Sequence, residues 1–170
     1  LEKELEEMLN GGHAICMTNK DIALMISLLA LGIEGEVIVP AFSPLHIGQN
    51  VMWAGLQPIY CDVPKNTPNV HASQLEHAIT SGTSAIIAIH NAGVACNVEA
   101  IQEIAKSNNL ELIFWSTDVL GQSINGKMHG SSGSLEIFSF HETDIVNGTC
   151  GACVTTNDDN LAARLRNIRS

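Results

Sequence analysis

Basic residues are scarce in this chain. Eight Lys and Arg stand against eighteen Asp and Glu, a net charge of -10, which removes the positive footprint that nucleic-acid binding requires. The acidic residues form no tail either, because beyond Glu2 to Glu7 they are dispersed. Long apolar runs are missing: none approaches the roughly 20 residues that span a bilayer, and no secretory leader pattern opens the chain. The five cysteines (Cys16, Cys61, Cys96, Cys150 and Cys153) are an odd count without scaffold spacing. That excludes a secreted disulfide framework and implies reduced thiols in a cytoplasmic setting. Repeats, low-complexity tracts and linkers are also absent. The 170 residues, 45% hydrophobic and 15% charged, therefore read as a single globular domain over 1–170 with a full-sized core.

What is present is a rhythm. Short, β-branched apolar runs at 13–18, 36–40, 57–62, 84–90, 111–116, 135–141 and 152–156 alternate with helical patterns. Most of these runs are continuously apolar, the mark of strands covered on both faces. Helical spacing appears at 21–31, stopped by Gly32, and at 46–54, stopped by Gly55. It recurs at 73–80, 97–107 and 158–169. Ser73 and Glu76 have the spacing of a capping box, Asp21 stands where it could cap the first long helix, and Leu1, Leu5, Met8 and Leu9 mark a short amphipathic helix at the start. The alternation specifies an α/β fold, a parallel sheet with helices on both faces. Strands 135–141 and 152–156 are joined without a helix pattern, so one strand is expected to run antiparallel.

Several segments carry a family likeness in order and spacing. They are Glu36-Val-Ile-Val-Pro40-Ala-Phe42-Ser43, Trp53-Ala-Gly55-Leu-Gln-Pro58-Ile-Tyr-Cys-Asp62, His90-Asn-Ala-Gly93, Asn125-Gly-Lys-Met-His-Gly130-Ser-Ser-Gly133, Phe138-Ser-Phe-His141-Glu-Thr-Asp144 and Leu161-Ala-Ala-Arg164-Leu-Arg-Asn-Ile-Arg169. Together they resemble the DegT/StrS sugar aminotransferases, which depend on pyridoxal phosphate. The resemblance implies that family's large domain, a three-layer α/β/α sandwich with a mostly parallel seven-stranded sheet and one antiparallel strand. The family's N-terminal arm and small C-terminal domain have no counterpart in these residues. It also implies a homodimer.

The same resemblance locates the cofactor positions, and there the chain departs from the pattern. The Schiff-base lysine of S-F-H-x-T-K is Asp144, and a carboxylate forms no imine. The aspartate that pairs with the pyridinium nitrogen is Trp115, whose indole only donates and carries no charge. The phosphate-binding N-G-T reads Asn19-Lys20-Asp21. A carboxylate facing a phosphate at about 4 Å costs on the order of several kcal/mol. The stacking aromatic aligns with Pro44, and Asp118 stands near the ring hydroxyl position. Ser139, His141, Thr143 and Asn147 are retained. Lys20 reads as a solvated side chain, and it is the lysine nearest the site; Lys3, Lys65, Lys106 and Lys127 read as lying elsewhere.

Because the departures fall on cofactor contacts while the fold-building residues match, the first expectation is a catalytically degenerate relative. It would have no cofactor and no metal, and a structural, regulatory or ligand-binding role toward a nucleotide sugar or small anion. A second is a pyridoxal phosphate aminotransferase of amino-sugar biosynthesis with a displaced lysine. A third is a cofactor-free reaction using His141, Asp144 and Asp118 as acid and base. Cys150-Gly-Ala-Cys153 lacks a second ligand pair and is read as structural, and the other histidines follow no ligand spacing.

Overall fold

The computed structural model describes residues 1–9, 12–124 and 126–170, with nothing stated of the side chains of Ile124 and Lys127. Seven strands form one sheet: β1 (His13–Met17), β2 (Glu36–Pro40), β3 (Gln57–Cys61), β4 (Thr83–Ile89), β5 (Glu111–Trp115), β8 (Leu135–Ser139) and β9 (Ala152–Thr156). Their order is β1-β9-β8-β5-β4-β2-β3. Only β9 runs against its neighbours, pairing antiparallel with both β1 and β8. The expected seven-stranded, mostly parallel sheet with one antiparallel strand is what forms. A further pair of two-residue strands, β6 (Ser123–Ile124) and β7 (Lys127–Met128), occupies what reads from sequence as a plain glycine-rich turn. The motif residue Asn125 lies outside the described residues.

Six helices cover the sheet: α1 (Glu2–Leu9), α2 (Lys20–Leu31), α3 (Leu45–Trp53), α4 (Ala72–Ala78), α5 (Val98–Ser107) and α6 (Asp159–Arg169). Alternate strand residues feed two separate cores, as a doubly covered sheet requires. Val37, Val39, Ile87, Ile113, Ile137 and Val154 meet α2, α3 and α6 on one face. Ile38, Ile86, Ala88, Leu112 and Phe114 meet α4 and α5 on the other, where Leu5 and Leu9 of α1 cover Ala14, Phe138 and Cys153.

Two sequence-based caps are not the ones used. Helix α2 is capped by Asn19, whose Oδ1 accepts from Ile22 N at 2.9 Å; Asp21 already lies inside the first turn and cannot serve. Helix α4 begins at Ala72 after an uncapped His71, so no Ser73–Glu76 box forms. The earlier start aligns Ala72, Leu75, Ala78 and Ile79 against the core, and that packing outweighs the cap. Asp158 does cap α6, accepting from Asn160 N and Leu161 N. Among the described residues no helix is long and apolar enough to cross a membrane.

Candidate functional site

The chain turns outward from β2 to β3 by way of α3 on one face. It then returns on the far side of β2 to β4, and continues to β5 by way of α5 on the other face. The C-terminal ends of β2 and β4 are thus the switch point, where open α/β sheets leave a crevice for ligands. A cleft of about 320 Å³ lies there, lined by Ala41, Phe42, Ser43, Pro44 and Asn91. Pro44 opens α3. Asn91 ties the loops together, its Nδ2 donating to Phe42 O at 3.3 Å and Pro68 O at 2.8 Å.

The position-144 cluster sits further along the same end of the sheet. Because β9 is antiparallel, the end of β8 and the end of β1 point the same way. The β8–β9 loop therefore meets the β1–α2 turn. Asp144 is engaged on both oxygens: Oδ2 accepts from His141 N at 2.9 Å, and Oδ1 lies 3.8 Å from Lys20 Nζ. The Asp144 side chain is 7% exposed and that of Lys20 is 22% exposed. Lys20 is thus an ion-pair partner of Asp144, which corrects the expectation of a solvated side chain. Ser139 is buried at the end of β8 and accepts weakly from His141 N, at 3.4 Å.

Asp21 is also engaged. Its Oδ1 accepts from Asn50 Nδ2 at 2.9 Å and lies 3.7 Å from His46 Nε2. His46 leans on Trp115, ring centroids 5.7 Å apart. Burial lowers the His46 pKa first, Asp21 raises it, and Lys20 lowers it further. Trp115 is 2% exposed and belongs to the core between the sheet and α2 and α3. The Asp144–Lys20 pair and the Asp21–His46–Trp115 group thus meet through the adjacent residues Lys20 and Asp21 at the start of α2. His46 was not singled out from sequence; its signal was a lone imidazole at the start of an otherwise apolar helix.

The remaining predicted positions have hydrogen-bond partners of their own. Asp118 accepts from Ala92 N at 3.0 Å and from Thr117 Oγ1 at 3.1 Å, holding Ala92 at a left-handed φ of 53°. Asn147 is exposed and hydrogen-bonds within its own loop, to Glu142 O and from Thr149 N. His141 Nδ1 pairs with the Thr143 hydroxyl at 3.0 Å, and no contact brings it to Asp118.

A second polar group lies inside the other core, and from sequence its His90 and His129 stand only as residues of the family-like segments. Glu136 of β8 is fully buried. Its Oε1 accepts from Ser116 Oγ at 2.6 Å and faces His129 Nδ1 at 3.3 Å. Its Oε2 accepts from Gly130 N at 2.7 Å. His90 stacks on Phe114 at 5.3 Å, and its ring meets His129 edge-on at 4.5 Å. Ligand atoms of His90, His129 and Glu136 lie within 4.8 Å of one another, a metal-like grouping. The hydrogens oppose a cation there. His90 Nδ1 accepts from Cys96 N at 3.0 Å, so in the neutral ring the proton sits on Nε2. The acceptors of Glu136 are already occupied.

Burial, aided by His129 and opposed by Glu136, pushes the His90 pKa down to about 4. An unfolded histidine titrates near 6.5. The unfolded chain therefore binds the extra proton first, and stability falls as pH drops from about 6.5 toward 4, by about 3 kcal/mol for this group. Urea unfolding across that range should reveal the loss, and His90→Asn should flatten it.

The architecture defines a class: it is the large-domain fold of the pyridoxal phosphate-dependent transferases. Comparison with family models matches residues 1–170 to the DegT/DnrJ/EryC1/StrS aminotransferase family, and the chain belongs to that family. It is 36% identical over 170 residues to the GDP-perosamine synthase of Caulobacter vibrioides, covering 99% of this chain and 46% of that protein. It is 35% identical over 165 residues to the GDP-perosamine synthase of Escherichia coli O157:H7, covering 96% of this chain and 45% of that protein. The chain thus spans about half the length of the curated relatives it matches. Among solved structures, DesI in the presence of its TDP-sugar product superposes with a TM-score of 0.92 at 33% identity, over 97% of this chain and 42% of that one. Helicobacter pylori PseC, an aminotransferase of pseudaminic acid biosynthesis, superposes with a TM-score of 0.95 at 26% identity, over 99% and 46%.

Proposed function

We propose that this chain is the large-domain portion of a protein of nucleotide-linked amino-sugar biosynthesis. It would hold a nucleotide-linked sugar in the crevice at the C-terminal ends of the parallel strands. The names of the two relatives, both GDP-perosamine synthases, carry this reading. They favour an active role on such a sugar over a purely structural one.

We infer further that position 144 supplies no imine in this chain. Asp144 accepts from His141 N and pairs with Lys20, and a carboxylate is not a nucleophile toward an aldehyde in the way an amine is. Trp115 and His46 pack together where the resemblance puts the pyridinium partner. An indole cannot keep a ring nitrogen protonated. Asp21 and Asp144 together oppose a phosphate with one ammonium between them. These residues do not fit pyridoxal phosphate held in the family's manner, so no chemical step is assigned to it.

The match to an aminotransferase family and the names of the relatives favour a second reading, a pyridoxal phosphate-dependent aminotransferase of nucleotide-sugar biosynthesis, for which the cluster offers one amine, that of Lys20. One experiment separates the two. The protein is incubated with pyridoxal phosphate, reduced with borohydride, and mapped by mass; thermal shifts with GDP-linked and TDP-linked sugars are recorded in parallel. A nucleotide-sugar shift without a specific covalent adduct is expected. An adduct confined to Lys20 would establish the aminotransferase reading instead, and neither signal would remove both.

The same reading includes a homodimer in the cytoplasm. Phe42, Leu45 and Trp53, on and beside α3, are 58%, 77% and 71% exposed, apolar surface of the kind that partners cover. Light scattering after size exclusion should give twice the chain mass.

A further inference from the structure

Cys16 and Cys153 face each other across the β1–β9 ladder as directly paired residues. The backbone around them says which kind of pair this is. Cys16 N donates to Glu2 Oε1 at 2.8 Å, and Cys16 O accepts from Arg169 Nη1 at 3.0 Å. Both of its main-chain groups therefore point away from β9, so the pair is a non-hydrogen-bonded one. In such pairs the Cα atoms are about 4.5 Å apart and the side chains lie closest. That is inside the range of roughly 4.4–6.8 Å that a disulfide spans without backbone movement.

We propose that Cys16 and Cys153 are a reversible thiol modification site, closed into an intramolecular disulfide by a low-molecular-weight disulfide such as oxidised glutathione. The chain places the attacking group on the accessible side: Cys16 is half-buried, whereas Cys153 is fully buried beneath α1. The proximity of the two thiols lowers the Cys16 pKa despite its burial, and raises that of Cys153.

The exchange balances in two displacements. Cys16 thiolate attacks one sulfur of the small disulfide, whose S–S bond breaks and releases one small thiolate. The sulfur of Cys153 then attacks Cys16 sulfur and expels the second. The protein loses two electrons and two protons, and the small disulfide becomes two thiols. Among the other cysteines, burial pushes the thiols of Cys61 and Cys96 up to about 11 and about 12, which makes both poor initiating nucleophiles. Cys150 is exposed and donates to Thr18 O at 3.1 Å, so it is the competitor to remove.

The bond would have a local consequence. Strand β1 is a sheet edge with β9 as its single neighbour, and it leads directly into Asn19 and Lys20. A covalent tie would fix that edge and the start of α2.

The test uses the full chain carrying Cys150→Ser. Treatment with oxidised glutathione should remove two hydrogens from the intact mass and protect Cys16 and Cys153 together from alkylation. It should raise Tm by about 5–10 °C. Adding Cys16→Ser should abolish all three changes, and adding Cys153→Ser should halt the reaction as a glutathione adduct on Cys16. Free alkylation of both thiols after oxidation, a bond mapped to Cys61 or Cys96, or a disulfide between two chains would each overturn the proposal.

Discussion

Glu136→Ala is expected to cost on the order of 3–5 kcal/mol of folding stability, the range for removing one partner from a buried polar pair. Glu136 is fully buried; it accepts from Ser116 Oγ, Gly130 N and Ser132 N, and faces His129 Nδ1 at 3.3 Å. Truncation would leave these donors without their buried acceptor. Glu136→Gln keeps one acceptor oxygen and should lose about 2 kcal/mol, the weaker penalty expected when charge-assisted bonds become neutral ones. Replacing both groups, His129→Leu with Glu136→Leu, removes the demand along with the supply and should recover part of the loss. Urea midpoints for the four proteins give the comparison. A Glu136→Ala variant within about 1 kcal/mol of the parent would show that the carboxylate is not the hub of this core.

Asp144→Lys should bind no pyridoxal phosphate covalently, although it restores the amine of the family pattern. The new ammonium would stand beside Lys20 where Asp144 now neutralises it, and His141 N would lose its acceptor. Like charges at this distance, plus one unmade hydrogen bond, should lower stability by about 2 kcal/mol. Trp115 and His46 would still fill their space and Asp21 would still face a phosphate. The expected readout is a lower Tm, no new visible absorbance with the cofactor, and no borohydride-stable adduct at position 144. A stoichiometric adduct on that residue would refute the account of Trp115 and Asp21 as obstacles.

The fold was legible because its signals are local. Each strand of the seven-stranded sheet is a largely apolar run, and helix stops are glycines or polar turns within a few residues. The missing antiparallel partner was visible too, in the helix-free stretch between β8 and β9. The pairing of Lys20 with Asp144 was not legible, because it depends on β9 lying between β8 and β1. Strand order is set by contacts remote in sequence. The β6–β7 ladder is two residues per strand, too short for any periodicity. Glu136 had a signal that went unused: a carboxylate in the middle of Leu135-Glu-Ile-Phe, a run otherwise apolar, has to find donors or destabilise the strand. His46 follows the same logic beside Trp115.

The meeting of two distant turns at Asp144 has a consequence for how this chain can change. A substitution at Asp144 removes the ion-pair partner of Lys20, whereas one at Lys20 leaves Asp144 with its His141 N donor. Exchanging the two identities, Lys20→Asp with Asp144→Lys, would preserve the neutral couple while delivering a primary amine to the loop after β8. That reciprocal exchange would place the amine of the family pattern at position 144 while keeping an ion pair between the loop after β8 and the start of α2.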